Sequence, residues 1–302
     1  APGPHAGRPR SIETVPKPGY RFIATVERLG EHSPAAPTTP AGAPAAQAIG
    51  PAPGDTARQI ALLPVAAMGG GGGAGVLGGL FYGFVGASQP MEAGMGAVSV
   101  LLVLVCLTVL VGLVGGAGVG VGVAPAGSAA GRPGPWSIVG GALGGMIVGA
   151  VVKLIGADAF VLLFGQAPGD VTGAPEGALL GAAVGIGAWL ASRGSRSLPL
   201  RRSVAASGLS GADAGALIPL LGGNLMGGSL HQLAGRFPQS RLRLDQIGAL
   251  FGESGFGPVS QVVTSALEGA LFSACVVAAM ILARRSLAGG GWRALLGPGG
   301  PA

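Results

Sequence analysis

Long apolar runs without charge constrain this chain more than any other feature. Residues 97–123 contain no charged side chain. Several other runs approach the roughly 20 residues that an α-helix needs to cross the hydrocarbon of a bilayer. Only 10% of the residues are charged, whereas a soluble domain has about 25%. So few charges cannot cover a water-facing surface. The sequence therefore predicts an integral membrane protein with a mainly α-helical fold.

Six membrane spans are predicted, and the first three carry glycine at every fourth position. The spans cover roughly residues 60–87, 97–123, 136–156, 174–191, 212–234 and 260–283. The rows of glycine are Gly71, Gly75, Gly79 and Gly83, then Gly112, Gly116 and Gly120, then Gly141, Gly145 and Gly149. Such rows let helix backbones approach closely. We expect them to form helix–helix contacts, including contacts between copies in a homo-oligomer.

The apolar part of the chain contains an internal duplication. Residues 171–193 align without gaps on residues 263–285, with Glu176 matching Glu268. Weaker matches upstream extend the two predicted copies to 138–193 and 217–285. Each copy would be a pair of spans joined by a loop. Two spans per copy would give both copies the same orientation in the membrane.

Basic residues are concentrated in loops that the predicted six-span topology places on the same side of the membrane. Four arginines lie within 193–203 and three within 284–293, whereas the loops 88–94 and 157–173 carry only acidic charges. Basic loops stay on the cytoplasmic side of a membrane. We therefore expect a six-span domain at 58–293 in a bacterial inner membrane, with both chain termini cytoplasmic. Residues 294–302 would form a disordered tail.

Residues 11–26, which read SIETVPKPGYRFIATV, predict a β-hairpin near the amino end. Two short β-rich runs flank the turn 16–19, which proline and glycine would stiffen. On this pattern alone, the segment is an amphipathic hairpin with a basic tip. A hairpin without a specific role, at the edge of a membrane protein, is the simpler alternative.

The order Thr-Val-Pro, Gly-Tyr and Arg-Phe resembles the carboxy-terminal wing of OmpR/PhoB-type winged-helix DNA-binding domains, which ends much like IETVPKRGYRF. The resemblance implies DNA as a partner and residues 1–30 as the end of such a domain. Lys17 and Arg21 would lie beside the phosphate backbone or minor groove. The wing residues implied in DNA binding are Thr14, Lys17, Gly19, Tyr20 and Arg21. Pro18 stands where a basic residue is common. A recognition helix is expected upstream of Ala1.

Residues 31–57 are rich in proline and alanine and predict a disordered linker. A DNA-binding domain, a linker and a membrane domain on one chain resemble the ToxR/CadC arrangement. The resemblance implies a membrane-anchored transcriptional regulator. Two alternatives use only the membrane domain. One is a transporter or channel-like protein with paired glutamates, and the other is a structural membrane anchor.

Three ionisable residues are candidates for a site in the membrane domain. Glu176 and Glu268 occupy the same place in the two repeats and could form a proton or cation site. The simpler interpretation is helix capping, because Ser265 and Glu268 fit a capping box and Glu176 follows Pro175 at a predicted helix start. His231 is either a pH sensor or a polar residue that reaches the membrane interface.

The sequence shows no motif of an enzyme. It contains no phosphate-binding loop with lysine, no zinc spacing of cysteine and histidine, and no nucleophile elbow. We therefore expect neither catalysis nor a cofactor nor a bound metal. The expected partners are DNA and the lipid bilayer.

Overall fold

The structure is a computed structural model. It describes residues 12–15, 19–22, 53–87, 97–126, 134–193, 199–237 and 244–288. The chain divides into two units, Ala1–Ile49 and Gly50–Ala302. In the first unit, strands β1 (Ile12–Val15) and β2 (Gly19–Phe22) pair antiparallel. The turn between the strands, which contains Lys17, lies outside the described residues. The assignment to a winged-helix domain stays a prediction.

The second unit consists of helices wherever the structure describes regular elements. They are α1 (Pro53–Ala87), α2 (Ala97–Ala126), α3 (Trp136–Phe164), α4 (Ala174–Ser192), α5 (Leu200–Leu220), α6 (Met226–Arg236), α7 (Asp245–Leu250) and α8 (Pro258–Ala288). Helix α1 begins inside the predicted linker. Proline suits the first turn of a helix, and Pro53 is the first residue of α1.

Within the described residues, five helices are long and apolar enough to cross a membrane, which makes the chain an integral membrane protein. The five segments are Ile60–Gly86, Val98–Pro125, Trp136–Phe164, Ala174–Ser192 and Pro258–Ser286. They correspond to the predicted spans one, two, three, four and six. The largest difference is in α3, which continues eight residues beyond the predicted end at 156.

The predicted fifth span, at 212–234, is wrong. Helix α5 ends at Leu220, and a new helix, α6, starts at Met226. Pro219 lies in the last turn of α5, and Gly222 has a φ of 86°, which favours glycine. Proline and a left-handed glycine together stop the helix. Hydrophobicity continues across the break, and this is why the sequence alone suggested one span.

The predicted glycine rows are confirmed as helix–helix contacts. A Cβ atom at Gly71 would lie 2.0 Å from the carbonyl oxygen of Gly112 on α2, and one at Gly112 would lie 2.2 Å from that of Gly71. On α3, a Cβ at Gly145 would lie 2.1 Å from the Gly177 oxygen on α4. No side chain fits at these distances. The rows face helices of the same chain, so an oligomer would use other surfaces.

The two repeats are visible as matching helix contacts. The first helix of the second copy is α5, which differs from the span at 212–234 that the sequence predicts. Gly145 contacts Gly177 in the α3–α4 pair, and Gly211 contacts Gly269 in the α5–α8 pair. Since Gly177 and Gly269 occupy equivalent positions, α5 corresponds to α3. This register matches Ser137/Ser203, Leu143/Leu209, Gly145/Gly211, Gly149/Gly215, Ala150/Ala216, Leu154/Leu220 and Gly156/Gly222. The second copy therefore begins near 202, and 217 lies well inside its first helix.

The buried apolar residues form two clusters towards opposite ends of the helices. One cluster includes Leu63, Val123 and Val276 from α1, α2 and α8. The other includes Tyr82 and Leu104 from the opposite ends of α1 and α2, together with residues of α6 and α7. The middle turns of α1, α2 and α8 lie between the two clusters.

Candidate functional site

The break between α5 and α6 brings a helix end against a carboxylate of α8. Glu268 accepts hydrogen bonds from the first two amides of α6: the Met226 N–H at 2.8 Å on Oε2 and the Gly227 N–H at 2.8 Å on Oε1. The amides at a helix start have no partner within the helix, and the helix dipole favours a negative charge there. Glu268 therefore caps α6 from a helix about 40 residues away in sequence.

Tyr82 of α1 completes the environment of the Glu268 carboxylate. Its hydroxyl donates to Oε1 of Glu268, and its side chain is only 1% exposed. A Cβ atom at Gly227 would lie 2.5 Å from the Tyr82 hydroxyl oxygen and 3.2 Å from Oγ1 of Thr264. Glycine at this position lets the start of α6 approach both side chains. Helices α1, α6 and α8 therefore meet at one half-buried carboxylate.

Glu176, the repeat equivalent of Glu268, caps its own helix. Its Oε2 accepts the Gly173 N–H at 2.8 Å, just before α4 begins. The side chain is buried. Its other oxygen faces the break, because a Cβ at Gly223 would lie 2.6 Å from Oε1. The two glutamates thus contact the chain on either side of residues 224–225, each with its own partners.

The predicted capping box at Ser265 and Glu268 is wrong, because α8 begins earlier, at Pro258. Ser265 is inside the helix, and its buried hydroxyl has no hydrogen-bond partner. Glu253 caps α8 instead, by accepting the Val259 N–H and the Ser260 N–H, each at 2.9 Å. The Ser260 hydroxyl also donates to Glu253. Sequence analysis missed this role, although Glu253 lies shortly before Pro258 at a helix start.

Hydrogen bonding at this cap lowers the pKa of Glu253 below its usual value. The Ser260 hydroxyl makes the largest contribution, and backbone amides of Ser260 and Val259 add to it. Each of these donors stabilises the ionised carboxylate. Glu253 is therefore a structural residue at the start of α8.

Polar side chains fasten the α5–α6 break to the α3–α4 loop. Asn224 donates to the carbonyl oxygen of Asp170 at 2.8 Å and accepts from the Gln261 amide at 2.8 Å. Thr172 donates to the Asn224 carbonyl oxygen at 2.9 Å, and its N–H donates to Ser229 at 3.1 Å. The Thr172 hydroxyl thereby satisfies the Asn224 carbonyl, a backbone group that the helix break leaves open.

His231 lines a cavity to which neither glutamate contributes. It is on α6, exposed, with its ring centroid 5.3 Å from that of Phe256. Together with Asn224, Gln232 and Gln261 it lines a polar cavity of about 180 Å³. The structure does not bring His231 and Glu268 into one cavity, so pH sensing by His231 stays a prediction.

A second cavity, of about 210 Å³, lies beside Glu268 between the two apolar clusters. Its lining comes from the middle turns of α1, α2, α3 and α8, from the first two turns of α4 and from the start of α6. Most lining residues are glycine, valine or leucine. The polar side chains that line it are Tyr82, Thr108, Thr172, Thr264 and Glu268. Among the described lining residues, Glu268 alone carries a charge.

The residues implied in DNA binding are described only in part. Thr14 lies opposite Tyr20, and Arg21 lies opposite Glu13, in the β1–β2 pair. Gly19 begins β2. Lys17 lies outside the described residues, and its role in DNA binding stays a prediction.

Comparison with protein-family models, with curated proteins and with solved structures finds no match. Within the described residues, no group of three or more histidine, cysteine, aspartate or glutamate side chains could hold a metal ion.

Proposed function

We propose that the chain is part of a membrane-anchored transcriptional regulator, with a winged-helix DNA-binding domain tethered to a multi-span membrane domain. The supporting observation is the residue order of IETVPKPGYRF at 12–22, followed by a proline-rich linker and a membrane domain. The antiparallel pairing of Ile12–Val15 with Gly19–Phe22 is compatible with a wing.

In this proposal the wing positions the protein on DNA without reading the base sequence. Lys17 and Arg21 contribute contacts to phosphate, which add affinity without base specificity. In this proposal α5, the counterpart of α3 in the second repeat, also crosses the membrane. Six crossings then place the arginine-rich loops and both termini on the cytoplasmic side of a bacterial inner membrane. This orientation gives the DNA-binding domain access to the chromosome.

DNA binding by the full-length encoded protein in detergent tests the proposal. The double variant Lys17→Ala/Arg21→Ala should bind specific and scrambled duplexes more weakly by about the same factor. Each phosphate contact that is lost should reduce the slope of log affinity against log salt by about 0.9. The control, Arg8→Ala/Arg10→Ala, removes the same charge outside the motif and should bind more nearly like the parent. Parent-like binding of the first variant at every salt concentration would contradict the proposal.

Transport is a second candidate function, favoured by the broken helix at α5–α6. Transporters often place such breaks beside a substrate site, with a helix end facing the substrate. Here the start of α6 meets Glu268 at the edge of a cavity. Uptake of radiolabelled solutes into proteoliposomes tests this candidate. Glu268→Gln should abolish uptake while Glu176→Gln retains it, and equal uptake by the two variants would oppose the candidate.

A further inference from the structure

The cavity beside Glu268 is of a size that suits a small organic molecule. Its volume is about 210 Å³. An apolar cavity of about 150 Å³ engineered in another protein stays dry and binds benzene. The present cavity therefore accommodates one aromatic ring together with a short aliphatic chain.

The walls of the cavity are apolar except at one end. Valine, leucine and phenylalanine from α2, α3 and α8 line most of it, and glycines of α1, α2 and α3 expose backbone that contributes no charge. Thr108 and Thr264 already donate their hydroxyl protons to backbone oxygens of their own or a neighbouring helix. An occupant that enters between these walls must bring an apolar body.

Glu268 gives that end of the cavity a hydrogen-bond acceptor and a negative charge. Each of its oxygens accepts a backbone N–H, an arrangement that suits the ionised carboxylate. Tyr82 supplies a third donor. A carboxylate has about four acceptor sites, so about one is left for an occupant. No described lysine or arginine lines the cavity.

We propose that this cavity binds a small lipophilic amine, with its ammonium group against Glu268 and its apolar body between α1, α2 and α3. A cation there pairs with the only charge of the described lining, where the low dielectric strengthens the attraction. The proposal deepens the transport candidate by naming its substrate class. It is independent of DNA binding. Binding at equilibrium and uptake are separate measurements, so transport can fail while the binding site stands.

Phenethylamine is the probe, because it joins one aromatic ring to a two-carbon ammonium chain. Its neutral analogue 2-phenylethanol has the same shape without the charge. We expect the full chain, purified in nanodiscs, to bind radiolabelled phenethylamine saturably and at least about tenfold more tightly than the alcohol. That factor is the size expected of one hydrogen bond between charged groups. Absent binding, or equal affinity for the two compounds, would overturn the proposal.

Two carboxylate variants locate the ammonium group. Glu268→Gln keeps the shape of the side chain but removes the charge, and it should bring the amine and the alcohol to within about threefold of each other. Glu176→Gln is the matched control, because Glu176 occupies the equivalent repeat position outside the cavity lining. It should keep the full preference for the amine. Loss of the preference in both variants, or in neither, would contradict the proposed role of Glu268.

A second pair of variants tests the position of the apolar body without altering the carboxylate. Gly78 lines the cavity, and a Cβ there meets no atom within 4 Å, so Gly78→Leu fills the space without a backbone clash. Its matched control, Gly73→Leu, lies on the same helix in equally open space outside the lining. Gly78→Leu should weaken amine binding at least about tenfold while Gly73→Leu leaves it unchanged. Unchanged binding in Gly78→Leu, for example because a lipid chain occupies the cavity, would overturn the proposal.

Discussion

Replacing Gly141 by alanine tests whether the α3–α4 contact requires bare glycine backbone. A Cβ atom at Gly141 would lie 2.3 Å from the carbonyl oxygen of Gly181, about 1.1 Å inside the 3.4 Å where ordinary contact begins. Because that oxygen belongs to the backbone, the clash is relieved only when the two helices move apart. Overpacking of this kind typically costs 1–3 kcal/mol, so we expect the free energy of unfolding of Gly141→Ala to fall by about 2 kcal/mol.

The assay is unfolding in mixed micelles as the fraction of sodium dodecyl sulfate rises, followed by circular dichroism. Gly156→Ala is the control on the same helix, since a Cβ at Gly156 meets no atom within 4 Å. It should be at least as stable as the parent, and by up to about 1 kcal/mol more stable, because alanine suits a helix interior better than glycine. Gly181→Ala should repeat the loss, and the double variant should lose less than the sum, because one substitution already separates the helices. Equal stability of Gly141→Ala and Gly156→Ala would refute the reasoning.

Three further predictions concern the second repeat and the orientation of the helices. Ser265→Ala removes a buried hydroxyl without a partner, so thermal unfolding of the variant should show no loss of stability and up to about 1 kcal/mol of gain. The Glu253 cap has a lowered pKa in the fold, so its contribution is present above the unfolded-state pKa and is lost as pH falls through the folded-state pKa. Unfolding titrations of the parent between pH 6 and 3 should show this loss, and those of Glu253→Gln should lack it. With α5 crossing the membrane as well, reporter fusions after Arg202 and Arg285 should both report the cytoplasm, and a fusion near Gly169 should report the other side.

The membrane helices could be predicted from the sequence because their cause is local. A long run of uncharged, apolar residues predicts a membrane span. A glycine at every fourth position predicts a close contact between helices, as Gly71 and Gly112 show. Neither pattern depends on residues elsewhere in the chain. This is why five of the six predicted spans are close to the helices of the structure.

The break at 221–225 and its partners could not be predicted in the same way. Apolar and glycine-rich residues continue through Leu220 and Gly222, so no change of composition marks the end of α5. The same glycine-rich composition also led to a predicted start at 217 for the second copy, whereas the helix contacts place this start near 202. The local signal for the break was Pro219, with two glycines at 222 and 223 shortly after it.

The capping role of Glu268 depends on a contact that no local pattern encodes. Glu176 and Glu268 are equivalent in sequence, yet α4 begins two residues before the first and α8 begins ten residues before the second. Glu176 is therefore at a helix start, while Glu268 lies where the backbone amides of α8 already have partners. Its carboxylate is left to bind α6, which lies in the longer segment between the two helices of the second copy, α5 and α8.

Hydrogen exchange at the start of α6 tests the central claim, that Glu268 holds the broken helix against α8. The measurement compares deuterium uptake of peptides covering 226–236 in the parent, Glu268→Gln and Glu176→Gln, all in nanodiscs. Losing a hydrogen bond to a charged group costs about 1.5–3 kcal/mol, so exchange at Met226 and Gly227 should accelerate at least about tenfold in Glu268→Gln. It should stay at the parent rate in Glu176→Gln. Equal protection of these amides in the parent and Glu268→Gln would contradict the claim.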